Sequence, residues 1–382
     1  MNEKSTDSVF GDVHRLVVKI GSSLFIDQQT GALDQSWLQA LCTDVAMLRG
    51  RGVEIVLVSS GAVALGMREL RLDIRRARLE DSQAAAAAGQ ILLAHAYQEH
   101  LGMHGLKTAQ VLLTLDDSES RLRYLNASRT LINLLMRGAV PVINENDTVA
   151  TQELRYGDND RLAARVAQMI SADCLIVLSD VDGLYDADPQ RNRKALHIAE
   201  VTELTSAHWA MAGGPGSRDG SGGMRTKLDA ARISMGAGCR MAITSGHVSR
   251  PLSTLEGGAR ATWFLPSASP IAARKQWISG TLKPKGRICV DSGAEKALVS
   301  GRSLLPVGVV GVVGSFERGD AVEVVSVAGE EIGRGLIAYS AEEARSIAGH
   351  QTNEIESILG YRGRDEMIHR DDLVIDDTRK AE

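Results

Sequence analysis

Several residue classes are scarce in this sequence, and each shortage excludes something. Aromatic residues make up only 4% of the 382 positions, and no basic stripe with interleaved aromatics occurs. The usual signature of a nucleic-acid surface is therefore missing. Only four cysteines are present, Cys42, Cys174, Cys239 and Cys289, far apart and in apolar surroundings. With no CxxC and no Cys/His cluster, neither a disulfide framework nor a structural metal site is expected. The opening stretch, Met1 to Asp12, is polar and lacks an apolar signal region, and no apolar run approaches membrane-spanning length. The expected compartment is the cytoplasm, with no membrane partner. Basic excess is absent too, the net charge being −5. From Lys285 onward the chain carries 12 Lys+Arg against 18 Asp+Glu, while the part before it is near neutral at 31 against 30. An acidic C-terminal part is a poor electrostatic match for nucleic acid.

What the sequence does have is an ordinary globular composition, 44% hydrophobic and 24% charged, with 38 glycines. Its length suits two domains. From His14 to about Leu265, short aliphatic runs alternate with helical stretches. Arg15–Ile20, Val53–Val58, Leu106–Leu113, Ala139–Ile143 and Cys174–Leu178 read as strands; Asp34–Arg49 and the Ala-rich Gln83–His100 read as helices. Strands that are continuously apolar, joined by crossovers longer than a hairpin, indicate an α/β fold with a mostly parallel open sheet sandwiched by helices. Past Pro284 the pattern changes to short Val-rich runs punctuated by Gly: Val307–Val313, Val322–Val327 and Ile332–Ala338. Short helical stretches follow around Ala341–Ala348 and Asn353–Leu359. The expected organisation is a catalytic domain over 13–266, a linker over 267–284, a small β-rich domain over 285–375 and a mobile tail over 376–382.

Five segments carry the polar chemistry. Lys19-Ile20-Gly21-Ser22-Ser23 ends the first strand, where ligands gather in open α/β sheets. Its lysine can offer a compact cation to phosphate. Val58-Ser59-Ser60-Gly61-Ala62 is a second strand end leading into a helix, whose free N–H groups can hold an anion; a plain Ser N-cap explains it about as well. Asn144-Glu145-Asn146-Asp147 and Gly157-Asp158-Asn159-Asp160 crowd seven acid or amide side chains into two short loops, more than two turns require. Carboxylates there can bind an ammonium group, and an Asp between two lysines can hold both in place. Gly213-Gly214-Pro215-Gly216 and Ser221-Gly222-Gly223-Met224-Arg225-Thr226-Lys227 precede a helix over Lys227–Gly236, a nest of N–H donors for phosphate oxygens. It is not a Walker A sequence, and no G-x-G-x-x-G follows the first strand. Ser179-Asp180-Val181-Asp182-Gly183 could form one wall of a nucleotide pocket or simply an Asp-rich turn.

In their order along the chain these segments resemble the amino-acid kinase family: K-x-G-S-S, S-S-G-A, N-E-N-D, G-D-N-D, S-D-x-x-G-L-Y-x-x-D-P and G-G-M-x-T-K. The N-E-N-D and G-D-N-D pair is similar to that of members acting on the side-chain carboxylate of glutamate. The region with Ile347-Ala348-Gly349-His350, Ile358-Leu359-Gly360-Tyr361 and His369-Arg370-Asp371-Asp372 resembles a PUA domain.

The resemblance implies catalytic roles for Lys19, Asp160 and Lys227, with Asp160 orienting both lysines. It implies glutamate binding by Ser60, Asp147 and Asn159. For ATP it implies Lys19, Ser179, Asp180, Ser221, Gly222, Gly223, Met224, Arg225, Thr226 and Lys227, with Mg²⁺ on the nucleotide phosphates. It further implies a homo-oligomer (dimer or tetramer), proline as a feedback inhibitor, and the next enzyme of proline synthesis as a partner. Arg225 and Arg161 stand where smaller residues are expected, and Ser179 where Thr is frequent. Two rival readings are a kinase with another acceptor, such as aspartate, and an RNA-binding protein, since PUA domains occur in RNA-modifying enzymes. The acidic C-terminal part argues against the second.

Overall fold

A computed structural model describes residues 8–27, 30–73, 76–149, 159–189, 192–212, 223–281 and 283–376. The chain divides into two compact units, Met1–Pro270 and Ile271–Glu382.

The first unit is built on strands β1 (Arg15–Ile20), β2 (Glu54–Ser59), β3 (Lys107–Leu113), β4 (Ala139–Glu145), β5 (Cys174–Ser179), β6 (Leu184–Tyr185), β7 (His197–Ile198), β8 (Glu200–Val201), β9 (Arg240–Ser245) and β10 (Ala261–Phe264). Eight of them form one sheet in the order β3-β4-β2-β1-β5-β9-β10-β8, while β6 and β7 make a separate hairpin. From β3 to β9 every pairing is parallel; β10 runs antiparallel to β9 and parallel to β8. The mostly parallel open sheet expected from the aliphatic runs is present. Strands β9 and β10 were not among those expected; β10 is four residues long, too short to show a period.

Side chains alternate across a strand, and β1 shows the consequence. Leu16, Val18 and Ile20 enter the apolar cluster on one face, together with Leu38, Leu41 and Tyr97 from the helices Gln35–Gly50 and Leu79–Gly102. Val17 enters the cluster on the other face, with Leu162 and Val166 of the helix Asn159–Met169 and Leu228 and Ala231 of the helix Met224–Gly236. Lys19, two residues after Val17, shares that second face. The register of β1 thus aims its lysine toward the two helices that supply the other charges.

Glycines set the other wall. Helix Ala62–Glu69 lies so close to helix Leu79–Gly102 that a Cβ on Gly66 would fall 1.7 Å from the Ala85 carbonyl oxygen. One on Gly89 would fall 1.8 Å from that of Ala62. The approach is backbone to backbone and admits no side chain.

The second unit contains β11 (Gly286–Val290), β12 (Val309–Gly314), β13 (Ala321–Ser326), β14 (Glu331–Leu336) and β15 (Leu373–Ile375). They form a sheet in the order β12-β11-β13-β14-β15, antiparallel except for β11 with β13. Its core includes Ile288, Val324, Ile332, Tyr339 and Ile368. The expected β-rich character holds. The helix Ser292–Val299, capped by Asp291 accepting from the Ala294 N–H at 2.7 Å, was not foreseen. A helix, Pro270–Thr281, occupies most of the stretch read as a linker. Of the tail, 377–382 lie outside the described residues.

Candidate active site

At the carboxyl end of β1 three buried charges meet. Lys19 Nζ lies 2.7 Å from Asp160 Oδ1, and Lys227 Nζ lies 3.3 Å from Asp160 Oδ2. Lys19 is 7% exposed, Lys227 4% and Asp160 fully buried. Asp160 stands in the first turn of the helix Asn159–Met169, where unpaired N–H groups favour a negative charge. Thr226 Oγ1 lies 2.9 Å from Asp160 Oδ2 and 2.8 Å from the Gly223 carbonyl oxygen, two acceptors that share its single hydroxyl proton. Burial pushes the Asp160 carboxyl upward, but the charges of Lys19 and Lys227 outweigh it and hold the group below its ordinary value. The carboxylate therefore stays ionised, and the cluster keeps one surplus positive charge in a site largely shut off from water.

Gly21 follows at once. Its backbone is extended, so no special dihedral demands glycine there. A Cβ would sit 4.0 Å from Lys19 Nζ; the missing side chain leaves room beside the ammonium group.

Next to the charges lies a chain of amides. Asn159, 6% exposed, donates from Nδ2 to Ser60 Oγ at 2.8 Å and toward Asn144 Oδ1 at 3.4 Å. Asn144 Oδ1 also accepts the Glu145 N–H at 2.9 Å, and Asn144 Nδ2 donates to Gln90 Oε1 at 2.8 Å. Asn144 and Glu145, read as loop residues, are the buried end of β4. Ser60 precedes Gly61, which caps the helix Ala62–Glu69 with φ = 101°. A Cβ on Gly61 would lie 2.2 Å from Ile26 Cδ1, so position and conformation both call for glycine. The Ser N-cap alternative fails, since the capping position belongs to Gly61. Asp147 sits in the turn Asp147–Val149, which packs against the helix Leu79–Gly102. Burial raises its carboxyl to about 6.

Of the segments assigned to nucleotide, Ser179 ends β5 and is buried, donating from Oγ to the exposed Asp180 at 2.8 Å. Gly183 has φ = 152°, and a Cβ there would meet His197 and Thr262 within 2.6 Å. Gly223 caps the helix Met224–Gly236, which begins three residues earlier than expected. Met224, Arg225, Thr226 and Lys227 thus form its first turn, and the Arg225 guanidinium lies 6.0 Å from the Trp209 ring centroid. This places the unexpected arginine on an aromatic face, away from the Lys227 ion pair. Gly157, Asp158, Gly213–Gly216, Ser221 and Gly222 lie outside the described residues.

The structure brings Lys19, Asp160, Lys227 and Thr226 together in one cluster, and Ser60 and Asn159 in a direct hydrogen bond. Gln90 was missed by the sequence reading; its signal is a lone amide in an apolar helical run, Ala84-Ala85-Ala86-Ala87-Ala88-Gly89-Gln90. Among the described residues no group of three or more His, Cys, Asp or Glu side chains could hold a metal ion. Asp160, the buried carboxylate of the site, is already matched by two lysines.

Residues 14–245 match the amino acid kinase family, and residues 286–359 match the PUA domain. A glutamate 5-kinase of Paramagnetospirillum magneticum is 60% identical, over 95% of this chain and 98% of its own length. Glutamate 5-kinase 1 of Rhizobium meliloti is 56% identical, over 94% of this chain and 92% of its own. Among solved structures, carbamate kinase from Giardia lamblia bound to AMP-PNP aligns with a TM-score of 0.48 at 13% identity, covering 67% of this chain and 99% of that one.

Proposed function

The chain belongs to the amino acid kinase family, among its glutamate 5-kinases, and we propose that Lys19, Asp160 and Lys227 are the group through which it handles phosphoryl charge. Its reaction transfers the γ-phosphoryl group of ATP to the side-chain carboxylate of L-glutamate, giving γ-glutamyl phosphate and ADP, the first step of proline biosynthesis.

The observation that carries the residue assignment is the buried Lys19–Asp160–Lys227 cluster. A free glutamate side chain has a pKa of about 4.3 and is already a nucleophile at neutral pH, so no general base is needed. The obstacle is an anion approaching a polyanion. Cations fixed in advance around the transferring group remove it, and catalysis becomes alignment plus charge stabilisation. Lys19 and Lys227 would face the γ-phosphoryl group, and Asp160 would keep both side chains from reorienting as charge moves. Their small exposure keeps water from weakening the effect.

Ser60, Asp147 and Asn159 would bind glutamate, with Asp147 meeting the ammonium group. The nucleotide would lie along Ser179, Asp180 and the stretch from Ser221 through Gly222, Gly223, Met224, Arg225 and Thr226 to Lys227. Mg²⁺ would come with ATP as part of the co-substrate, held by the phosphates and adding to the positive charge. The family supports further proposals: a dimer or tetramer, proline acting at the glutamate site, and a cytoplasmic location. A hand-over to the next enzyme of proline synthesis fits an acyl phosphate that hydrolyses readily.

Trapping with hydroxylamine tests the reading. With MgATP, hydroxamate should form from glutamate and far less from aspartate or N-acetylglutamate. Hydroxamate from aspartate alone would overturn it.

A further inference from the structure

The amide chain beside the lysines has a fixed polarity, and both of its ends are open. The Glu145 backbone N–H can only donate, so Asn144 Oδ1, which receives it at 2.9 Å, is held in that orientation. Everything else follows from that one group. Asn144 Nδ2 must point the other way, to Gln90 Oε1 at 2.8 Å, and Asn144 Oδ1 can take a second donor only from Asn159 Nδ2. Asn159 Nδ2 also serves Ser60 Oγ. Asn159 Oδ1 is then left as a buried acceptor and Gln90 Nε2 as a buried donor, each without a hydrogen-bond partner among the described residues. Buried polar atoms are seldom left so, and two of opposite sense on one network call for a ligand carrying both complements.

Gln90 is held where it is. It is 7% exposed, and its neighbour Gly89 lies against the Ala62 carbonyl at the start of the helix that follows Ser60. The helix Leu79–Gly102, which carries Gln90, also packs on the turn carrying Asp147. An α-amino acid presents an ammonium donor and a carboxylate acceptor on one carbon, which matches an open acceptor and an open donor.

We propose that Gln90 is a further substrate-binding residue, its Nε2–H donating to the α-carboxylate of the acceptor while Asn159 Oδ1 receives the α-ammonium group. This rests on the assignment of glutamate to the Ser60–Asn159 site. It makes the α-carboxylate a specificity determinant read by a side chain that no motif marks. The side-chain carboxylate is left free to face the lysines.

Gln90→Glu keeps an acceptor for Asn144 Nδ2 but sets a carboxylate against the α-carboxylate of the substrate. The comparison substrate is the α-carboxamide of glutamate, which retains the ammonium group and the side-chain carboxylate. Wild-type enzyme should prefer glutamate. In Gln90→Glu the ratio of kcat/KM for glutamate over the carboxamide should fall by about 100-fold, through the glutamate KM, with the ATP KM unchanged. Gln90→Met, similar in volume and without a donor, should move the ratio in the same direction by about tenfold. An unchanged ratio in either folded variant, or equal losses on both substrates, would overturn the proposal. Failure of the wild type to act on glutamate at all would instead overturn the reading of the site.

Discussion

Lys19 and Lys227, 208 positions apart in the chain, are bound to opposite oxygens of one fully buried carboxylate, Asp160, at 2.7 and 3.3 Å. One lysine comes from a strand and the other from a helix, so the pair exists only when β1 and the helix Met224–Gly236 share a face of the sheet.

Removing either lysine should therefore affect the chemical step. We expect Lys19→Ala and Lys227→Ala to lower kcat by about 100-fold or more while changing the glutamate KM by only a few-fold. Steady-state kinetics at saturating MgATP check this, and near-normal turnover in either variant would remove that lysine from the phosphoryl site.

Asp160→Ala removes the buried carboxylate that both ammonium groups bind. Breaking such a cluster costs about 3–5 kcal/mol, and a urea titration should show the loss together with lost activity. The pH dependence has a definite sign. The folded value is lowered, so the contribution is fully present above the ordinary carboxylate range. It is lost only as pH falls through the lower folded value. Wild type and variant should thus converge in stability in strong acid and differ throughout the neutral range.

Asp147 behaves in the opposite way. Burial raises its carboxyl to about 6 in the free protein, so its negative charge is lost as pH falls through that value. If this charge meets the substrate ammonium group, the apparent glutamate KM should climb between pH 7 and pH 5 at saturating MgATP. Asp147→Asn should raise KM at pH 7 and flatten the profile. A slope in the Asn variant equal to wild type would assign the titration to another group.

Gly89→Ala tests the packing that holds the acceptor wall. Its Cβ would overlap the Ala62 carbonyl oxygen at 1.8 Å and the Gly66 nitrogen at 2.5 Å, and neither backbone atom can rotate away. We expect destabilisation of about 1–3 kcal/mol, read by thermal denaturation, and a higher glutamate KM from displacement of Ser60. Gly50→Ala, where a Cβ meets nothing within 4 Å, serves as the silent control.

Much of this molecule was legible from residue order alone. A strand buried on both faces has to be apolar throughout, so β1, β2, β4 and β5 stand out as aliphatic runs without any knowledge of their neighbours. Polar residues at the ends of such runs are conspicuous, which marks Lys19 and Ser60, whereas Asn159 stands out in a dense acid-and-amide cluster just before a helix. Elements stabilised mainly by their surroundings were not legible. Strand β10 and the sheet strand β11 are short and gain their hydrogen bonds from distant segments, and local preference is weak over four or five residues.

The sequence by itself determined which residue types the site has and that they end buried strands or begin helices, because burial dictates apolar runs and exposes their interruptions. Only the tertiary structure decided how they combine. The alternation of β1 puts Lys19 on the Val17 face, where the helices bearing Asp160 and Lys227 are packed. The polarity of the amide chain descends from one backbone N–H at Glu145. Gln90, a lone amide in an apolar helical run, becomes a buried open donor only because two glycines let its helix approach the site. Such relations depend on long-range register and close approach, which have no local signature.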